Sequence, residues 1–296
     1  MSDETAPQNG SNLTDIDKKL SELIKLLNEV RHESWRSSAL AVSKQLWDAF
    51  GADGRYSDPK TLARYNRRMY SQHGEDGVIS EIFSRIGEGN KRFFEIGVGD
   101  GTQNTTRFLL ERGWSGVWVE GSPELAESAK EFMKQYIDSG NLKIVQTFIT
   151  AENVSQIVDE SDKNGKLDYI SIDIDYNTPH VWRALRRSSR VACLEYNCTM
   201  PPNVAMTVPY DPNGVWDGTA WYGGSLKAFE NIGLEKGMAL VGSDLVGVNA
   251  YFVDLEEARG KFREPFDAAT HYEPPRYYEY GHQHQPPAAP RRWVTE

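Results

Sequence analysis

The sequence predicts an α/β fold: a doubly wound, mostly parallel sheet with an antiparallel last strand, preceded by a helical segment. Three observations carry that prediction. Apolar runs of strand length alternate with helix-length stretches along the body of the chain, which implies parallel strands covered on both faces. A glycine-rich turn follows the first run, KRFFEIGVGDG, where a strand hands over to a helix. The last two runs, MALVGSD and NAYFVDLE, are close enough to pair as an antiparallel hairpin.

Residues 1–12 read as a disordered leader. From Leu13 on, Leu13, Ile16, Leu20, Leu23, Leu27 and Val30 alternate three and four apart, the a/d seam of a heptad repeat over 13–34. Asn12 or Thr14 can cap its start, and Ile24 and Leu26 widen the stripe. Such a helix either assembles copies of the chain into a homo-oligomer or packs on its own body. Residues 35–91 form a helical cap: a helix from about Trp35 to Phe50, the turn-rich GADGRYSDPK, then Val78, Ile79, Ile82, Phe83 and Ile86 at helical spacing. The body, 92–265, continues with TQNTTRFLLERG as a helix, SGVWVEG as a strand, a helix from about Pro123 to Ser139, and LKIVQTFIT, LDYISIDID and VACLEYN as strands. An irregular insertion at 198–222 precedes the helix GSLKAFENIGLEKG and the final hairpin. With the hairpin included, the expected sheet is seven-stranded and Rossmann-like. Residues 266–296 form a tail whose last 26 residues hold five prolines, four tyrosines and three histidines, a composition that wraps a surface or stays mobile.

Composition narrows the function. The 296 residues carry 33 Lys+Arg against 43 Asp+Glu, a formal charge of -10, which argues against nucleic acid as partner. No apolar run approaches the roughly 20 residues a membrane span requires, and the polar start MSDETAPQNG does not read as an export signal. Cys193 and Cys198 match no disulfide or metal framework. The cytoplasm is the expected compartment.

The strongest motif is Glu95-Ile-Gly97-Val-Gly99-Asp-Gly101, an acid followed by glycines at every second position. A dinucleotide loop wants G-x-G-x-x-G, but Thr102 holds the third glycine position. The pattern instead resembles motif I of class I S-adenosylmethionine-dependent methyltransferases. That resemblance implies glycines packed against the methionyl part of the cofactor and Glu95 meeting its ammonium end directly or through water. Glu120, 25 residues on at the end of the second strand, can accept both ribose hydroxyls. Thr150, Ala151 and Glu152 would border the adenine, Glu152 serving equally as a helix cap, and Asp173 belongs to the cofactor side. Ser71-Gln-His-Gly-Glu-Asp76, FFEIGVGDGTQNTTRFLLERGWSGVWVEGSP and LDYISIDID followed by LEYN resemble the FkbM-type methyltransferases, O-methyltransferases of sugars and natural products, over residues 70–255. The fourth strand departs from that family, with Ile-Asp-Ile-Asp where many members carry Ile-Asp-Val-Glu-Gly.

Methyl transfer from a sulfonium is an in-line displacement, so the protein must align the acceptor and remove its proton. For an alcohol this calls for a base or for a metal that acidifies the hydroxyl. Asp173 and Asp175 alternate with Ile172 and Ile174 and should share one side of the strand. Glu195 and Asn197 stand in the same relation on the fifth strand. Asp175, Glu195 and Asn197 are hard oxygen donors suited to Mg²⁺ or calcium, or a polar cluster closing the pocket without metal. His180 is the first choice as base and His73 the alternative, while Glu75 and Asp76 can cap the helix after His73. In the insertion, Tyr210, Trp216, Trp221 and Tyr222 form either a stacking wall for a sugar or other ring, with Asp211 and Asp217 taking hydroxyls, or a satellite core. His282 and His284 read as a solvated tail. These features favour an S-adenosylmethionine-dependent O-methyltransferase of a hydroxylated small molecule or glycan. The competing readings are a non-catalytic oligomeric Rossmann scaffold and an NAD-dependent oxidoreductase.

Overall fold

The computed structural model describes residues 9–52, 54–163, 165–276 and 289–296. The first helix, α1 (Asn9–Ala52), is already formed at Asn9, within the expected leader, and runs unbroken for 44 residues. The two helical stretches expected in this region are therefore one. From Ser11 to Phe50 the chain contains neither glycine nor proline, so nothing interrupts the hydrogen-bond ladder. Ile16, Leu20, Leu23, Ile24, Leu26, Leu27 and Val30 stand 52% to 65% exposed along it. After α2 (Gly54–Ser57) and a 3₁₀ turn at Ala63–Tyr65, α3 (Glu75–Ile86) buries Val78, Ile79, Ile82 and Phe83.

The body then alternates as expected, with shorter helices. β1 (Arg92–Ile96) is followed by α4 (Arg107–Glu111), which starts late because Thr105 and Thr106 are tied back to β1. After β2 (Ser115–Glu120), the helix expected over Pro123–Ser139 divides into α5 (Pro123–Phe132) and α6 (Lys134–Asp138) at the buried Met133. Ser122 caps α5 by accepting from the Leu125 N–H. The chain continues through β3 (Leu142–Gln146), α7 (Val154–Ser161), β4 (Leu167–Ile172), α8 (Thr178–Ala184), β5 (Ser189–Glu195) and β6 (Met206–Thr207). It closes with α9 (Leu226–Glu235), β7 (Met238–Ser243), β8 (Asn249–Asp254), α10 (Leu255–Ala258), α11 (Ala268–His271) and β9 (Val294–Thr295).

Seven strands form one sheet in the order β3-β2-β1-β4-β5-β8-β7. β1 to β5 pair in parallel, and β8 runs antiparallel between β5 and β7. This is the doubly wound, Rossmann-like sheet with an antiparallel last strand. Alternation along β1 feeds its two faces: Phe94 and Ile96 pack with Val154, Val181, Trp182 and Phe229, while Phe93 packs with Val78, Phe83, Leu109 and Trp118. Because β2 and β3 lie on one side of β1 while β4 returns to the other, the carboxyl ends of β1 and β4 border a crevice. A second, two-stranded pairing joins β6 to β9, so residues 294–295 are held against the insertion. Among the described residues no helix is long and apolar enough to cross a membrane.

Candidate active site

The glycine turn at the end of β1 divides its labour. Gly97 has φ 85, and a Cβ there would collide with the Asp173 carbonyl oxygen, so only glycine lets β1 and β4 close at this point. Gly99 has φ 58, and a Cβ there would meet nothing within 4 Å, which leaves its backbone open to the crevice. Glu95 is taken up by the residues just ahead of α4. Its Oε1 accepts from the Thr105 N–H (3.0 Å) and hydroxyl (2.9 Å), and its Oε2 accepts from the Thr106 N–H (3.2 Å) and hydroxyl. Burial pushes its carboxyl up despite these four donors. The motif acid expected to reach the cofactor is thus committed to the start of α4.

Glu120 faces the crevice. One oxygen accepts from the Gly99 N–H at 2.7 Å and the other from the Ser122 N–H at 2.8 Å. It lines a cavity of about 380 Å³ together with Gly97, Gly99, Phe148, Asp173 and Trp216. A second cavity, of about 410 Å³, continues past Gly97, Gly99 and Asp173 toward Gln72, Glu75 and Asn104. Phe148, 46% exposed beyond β3, supplies the ring at the far end. The border was expected at Thr150, Ala151 and Glu152, none of which lines either cavity. The Glu152 side chain instead accepts from the Tyr210 hydroxyl, the main cause of its lowered pKa, and the cap position of α7 belongs to Asn153. The missed signal was an aromatic residue just past the last paired position of LKIVQTFIT.

Across the crevice stand three carboxylates. Asp173, Asp175 and Glu195 each offer an oxygen, all within 4.8 Å of one another. The route differs from the strand alternation expected. β4 ends at Ile172, and Asp175 turns back at φ 53 to join Asp173. Burial and then the Asp175 charge push Asp173 up to about 7. Burial alone pushes Asp175 up to about 6. Glu195, beside the Asp173 carboxyl, is raised by burial and by both aspartates. Asn197 does not belong to this group. It is fully buried, its amide donates to the Ala220 and Tyr222 carbonyls at 3.0 Å each, and its Oδ1 accepts from Thr199. Its polar atoms hold the insertion, and Asp173 takes the third position expected of it.

Neither histidine lines the two cavities. His180 Nε2 donates to the Val208 carbonyl at 2.8 Å, and burial lowers its pKa, so the neutral ring braces the insertion. His73 is buried beside Glu75, which accepts its backbone N–H at 2.7 Å. Asp76 gathers the N–H groups of Met69, Tyr70 and Ser71 rather than capping α3, whose cap is Gly74. The insertion aromatics divide. Trp216 borders the cavity with Tyr222 edge-on behind it at 6.2 Å. Trp221 is buried against Trp293 at 4.4 Å, a satellite core, and Tyr210 binds Glu152. Asp217 accepts from Thr219 and pairs with Arg291 at 2.7 Å, and the Asp211 side chain accepts from the Asn213 N–H. His282 and His284 lie outside the described residues.

No protein-family model and no curated protein matches the chain. Solved structures similar to it include the N-terminal domain of EvdMO1 in the presence of SAH and D-fucose, at TM-score 0.42 and 14% identity over 62% of this chain and 84% of that one. Another is an O-methyltransferase from Bacillus cereus in complex with SAH, at TM-score 0.41 and 19% identity over 64% and 84%. The METTL16 MTase domain aligns at TM-score 0.32 and 17% identity over 41% of this chain, which spans about half, 51%, of that domain.

Proposed function

We propose that this chain is an S-adenosylmethionine-dependent O-methyltransferase acting on a hydroxyl of a sugar, glycan or natural-product-like small molecule, related to the FkbM-type enzymes. The observation that carries the reading is Glu120, whose carboxylate faces the crevice beside Gly99 and lines the same cavity as Phe148. After its two backbone partners, two of its lone-pair sites remain for the ribose hydroxyls. Phe148 offers a face for the adenine. The NAD alternative is disfavoured by Glu95. A pyrophosphate would need the free N–H groups at the start of the helix after β1, and here the Thr105 and Thr106 N–H groups already serve a buried carboxylate.

The sulfonium supplies the electrophile, so the chain's own contribution is alignment and proton removal. Asp175, held half-buried at the crevice with its pKa raised to about 6, is ionised near neutral pH yet more basic than an exposed aspartate, which suits it as the acceptor's base. Trp216 supports the reading of the insertion as the acceptor wall. Asp173, Asp175 and Glu195 also fit a hard divalent cation: they converge from two strand ends, and Glu195 Oε2 is buried without a hydrogen-bond partner. Mg²⁺ there would acidify the acceptor hydroxyl.

Calorimetry tests the reading. S-adenosylmethionine and S-adenosylhomocysteine are expected to bind and NAD to give no heat. Heat with NAD and silence with the other two would reverse the assignment.

A further inference from the structure

We infer that Glu75, from the segment ahead of β1, receives the α-ammonium group of the bound cofactor in place of the motif acid Glu95. The inference rests on the cofactor reading above and concerns the end of the ligand that Glu120 does not touch. The second cavity shares Gly97, Gly99 and Asp173 with the first, so a ligand whose sugar lies at Glu120 extends its amino-acid end there. Four acids face that space: Glu75, Glu95, Asp100 and Asp173. Glu95 already accepts from four donors, which fills its capacity. Asp100 folds over its own turn, accepting from the Thr102 N–H and hydroxyl. Asp173 is engaged with Glu195 and Asp175.

Glu75 differs from all three. It is 2% exposed, so its charge has been taken out of water. Its Oε2 accepts from the His73 N–H at 2.7 Å and its Oε1 from Asn249 Nδ2 at 2.9 Å, with the Ser71 hydroxyl close by. These fixed donors orient both oxygens without neutralising them. Among the described residues no cation pairs with it, and its charged neighbours Asp76, Asp173 and Asp244 are acids. Burial accordingly pushes its carboxyl up. A buried carboxyl held in this way beside a cavity becomes stably ionised once a cation reaches it. A primary ammonium on the ligand supplies it.

The test compares S-adenosylhomocysteine with 5′-methylthioadenosine, which keeps the nucleoside thioether and lacks the amino-acid end. In calorimetry, Glu75→Gln is expected to bind S-adenosylhomocysteine about 10- to 100-fold more weakly than wild type, the range expected for a charged hydrogen bond, while methylthioadenosine affinity stays within about twofold. Its Tm should stay close to that of wild type, because the Asn249 side-chain amide can turn over and present its oxygen to the new N–H donor. Equal affinity of wild type and variant for S-adenosylhomocysteine overturns the inference alone. A parallel loss of both ligands also overturns it, by showing a structural role. If wild type binds neither ligand, the cofactor reading falls and this inference with it. Should Glu75→Gln not fold, Glu75→Asp is measured against S-adenosylhomocysteine and its desamino analogue. A preference for the amine as large as wild type's then rejects the assignment.

Discussion

At the scale of single residues, the crevice is organised by where carboxylates spend their lone pairs. Glu120 divides its own between the turn and the open space, so Glu120→Ala is expected to weaken S-adenosylhomocysteine binding about 10- to 100-fold and to lower Tm, because the Gly99 and Ser122 N–H groups lose their acceptor. An unchanged Kd would remove Glu120 from the ribose role. The acid trio makes a second prediction. Asp173 rises to about 7 and Asp175 to about 6 from an ordinary value of 3.8, so between about pH 4 and 7 the folded state holds protons that the unfolded chain has released. These groups therefore cost stability progressively as pH rises through that window. In the ligand-free protein, Asp173→Asn should match wild type near pH 4 and exceed it at pH 8, a gain of about 1 kcal/mol appearing as roughly 2–4 °C in Tm. Millimolar Mg²⁺ should raise the Tm of wild type at pH 8 and leave the variant unmoved. A variant that melts lower than wild type at pH 8 contradicts this account of the trio. The places of Gly99 after β1 and of Glu120 at the end of β2 were legible in the glycine motif and the strand pattern. The trio was legible only in part, because its convergence depends on a left-handed residue at Asp175 and on the inward commitment of Asn197, and neither leaves a mark on periodicity.

At the scale of elements, strands were read well and helix lengths poorly. The apolar runs of β1, β2, β4 and β5 are buried on both faces and announce themselves. α4 is short because Thr105 and Thr106 bond Glu95, a contact ten and eleven residues apart in sequence that helix propensity does not register. β9 was unreadable for the same kind of reason. Two residues cannot signal a strand by themselves, and its existence depends on β6 nearly ninety residues earlier. That pairing has a mechanical consequence for the insertion. Trp293 packs on Trp221, Arg291 pairs with Asp217, and Glu296 bonds Thr207 and Arg183, so residues 291–296 strap the loop that presents Trp216. Trp293→Ala should therefore raise hydrogen exchange across 208–222 while β1 and β4 stay protected. The lost aromatic pair, worth about 1 kcal/mol, should cost about 2–4 °C in Tm. Unaltered exchange in the insertion would show that the strap does not restrain it.

At the scale of the whole molecule, α1 stands apart from the chemistry, since every residue lining the two cavities comes from Gln72 or later. The seven apolar side chains exposed among its described residues are costly to leave in water. Ile16, Leu20, Leu23, Leu27 and Val30 keep the four-three spacing that a second helix reads as knobs and holes. Ile24 and Leu26 flank that seam and thicken it, while Asp15 and Lys19 pair within the helix at 2.7 Å and keep charge off the stripe. Burying the exposed part of each side chain is worth about 1 kcal/mol, which over two copies meets the roughly 4–15 kcal/mol that association costs. The expected occupant of the stripe is on this reasoning a second copy of the chain. Sedimentation should give at least twice the 33.5 kDa of one chain. Leu20→Glu combined with Leu27→Glu should return it to monomer, with S-adenosylhomocysteine affinity within about twofold of wild type because neither position is near the crevice. A monomeric wild type rejects self-assembly through α1, and a variant that dissociates but also loses the ligand would mean that the assembly, not the single chain, completes the site.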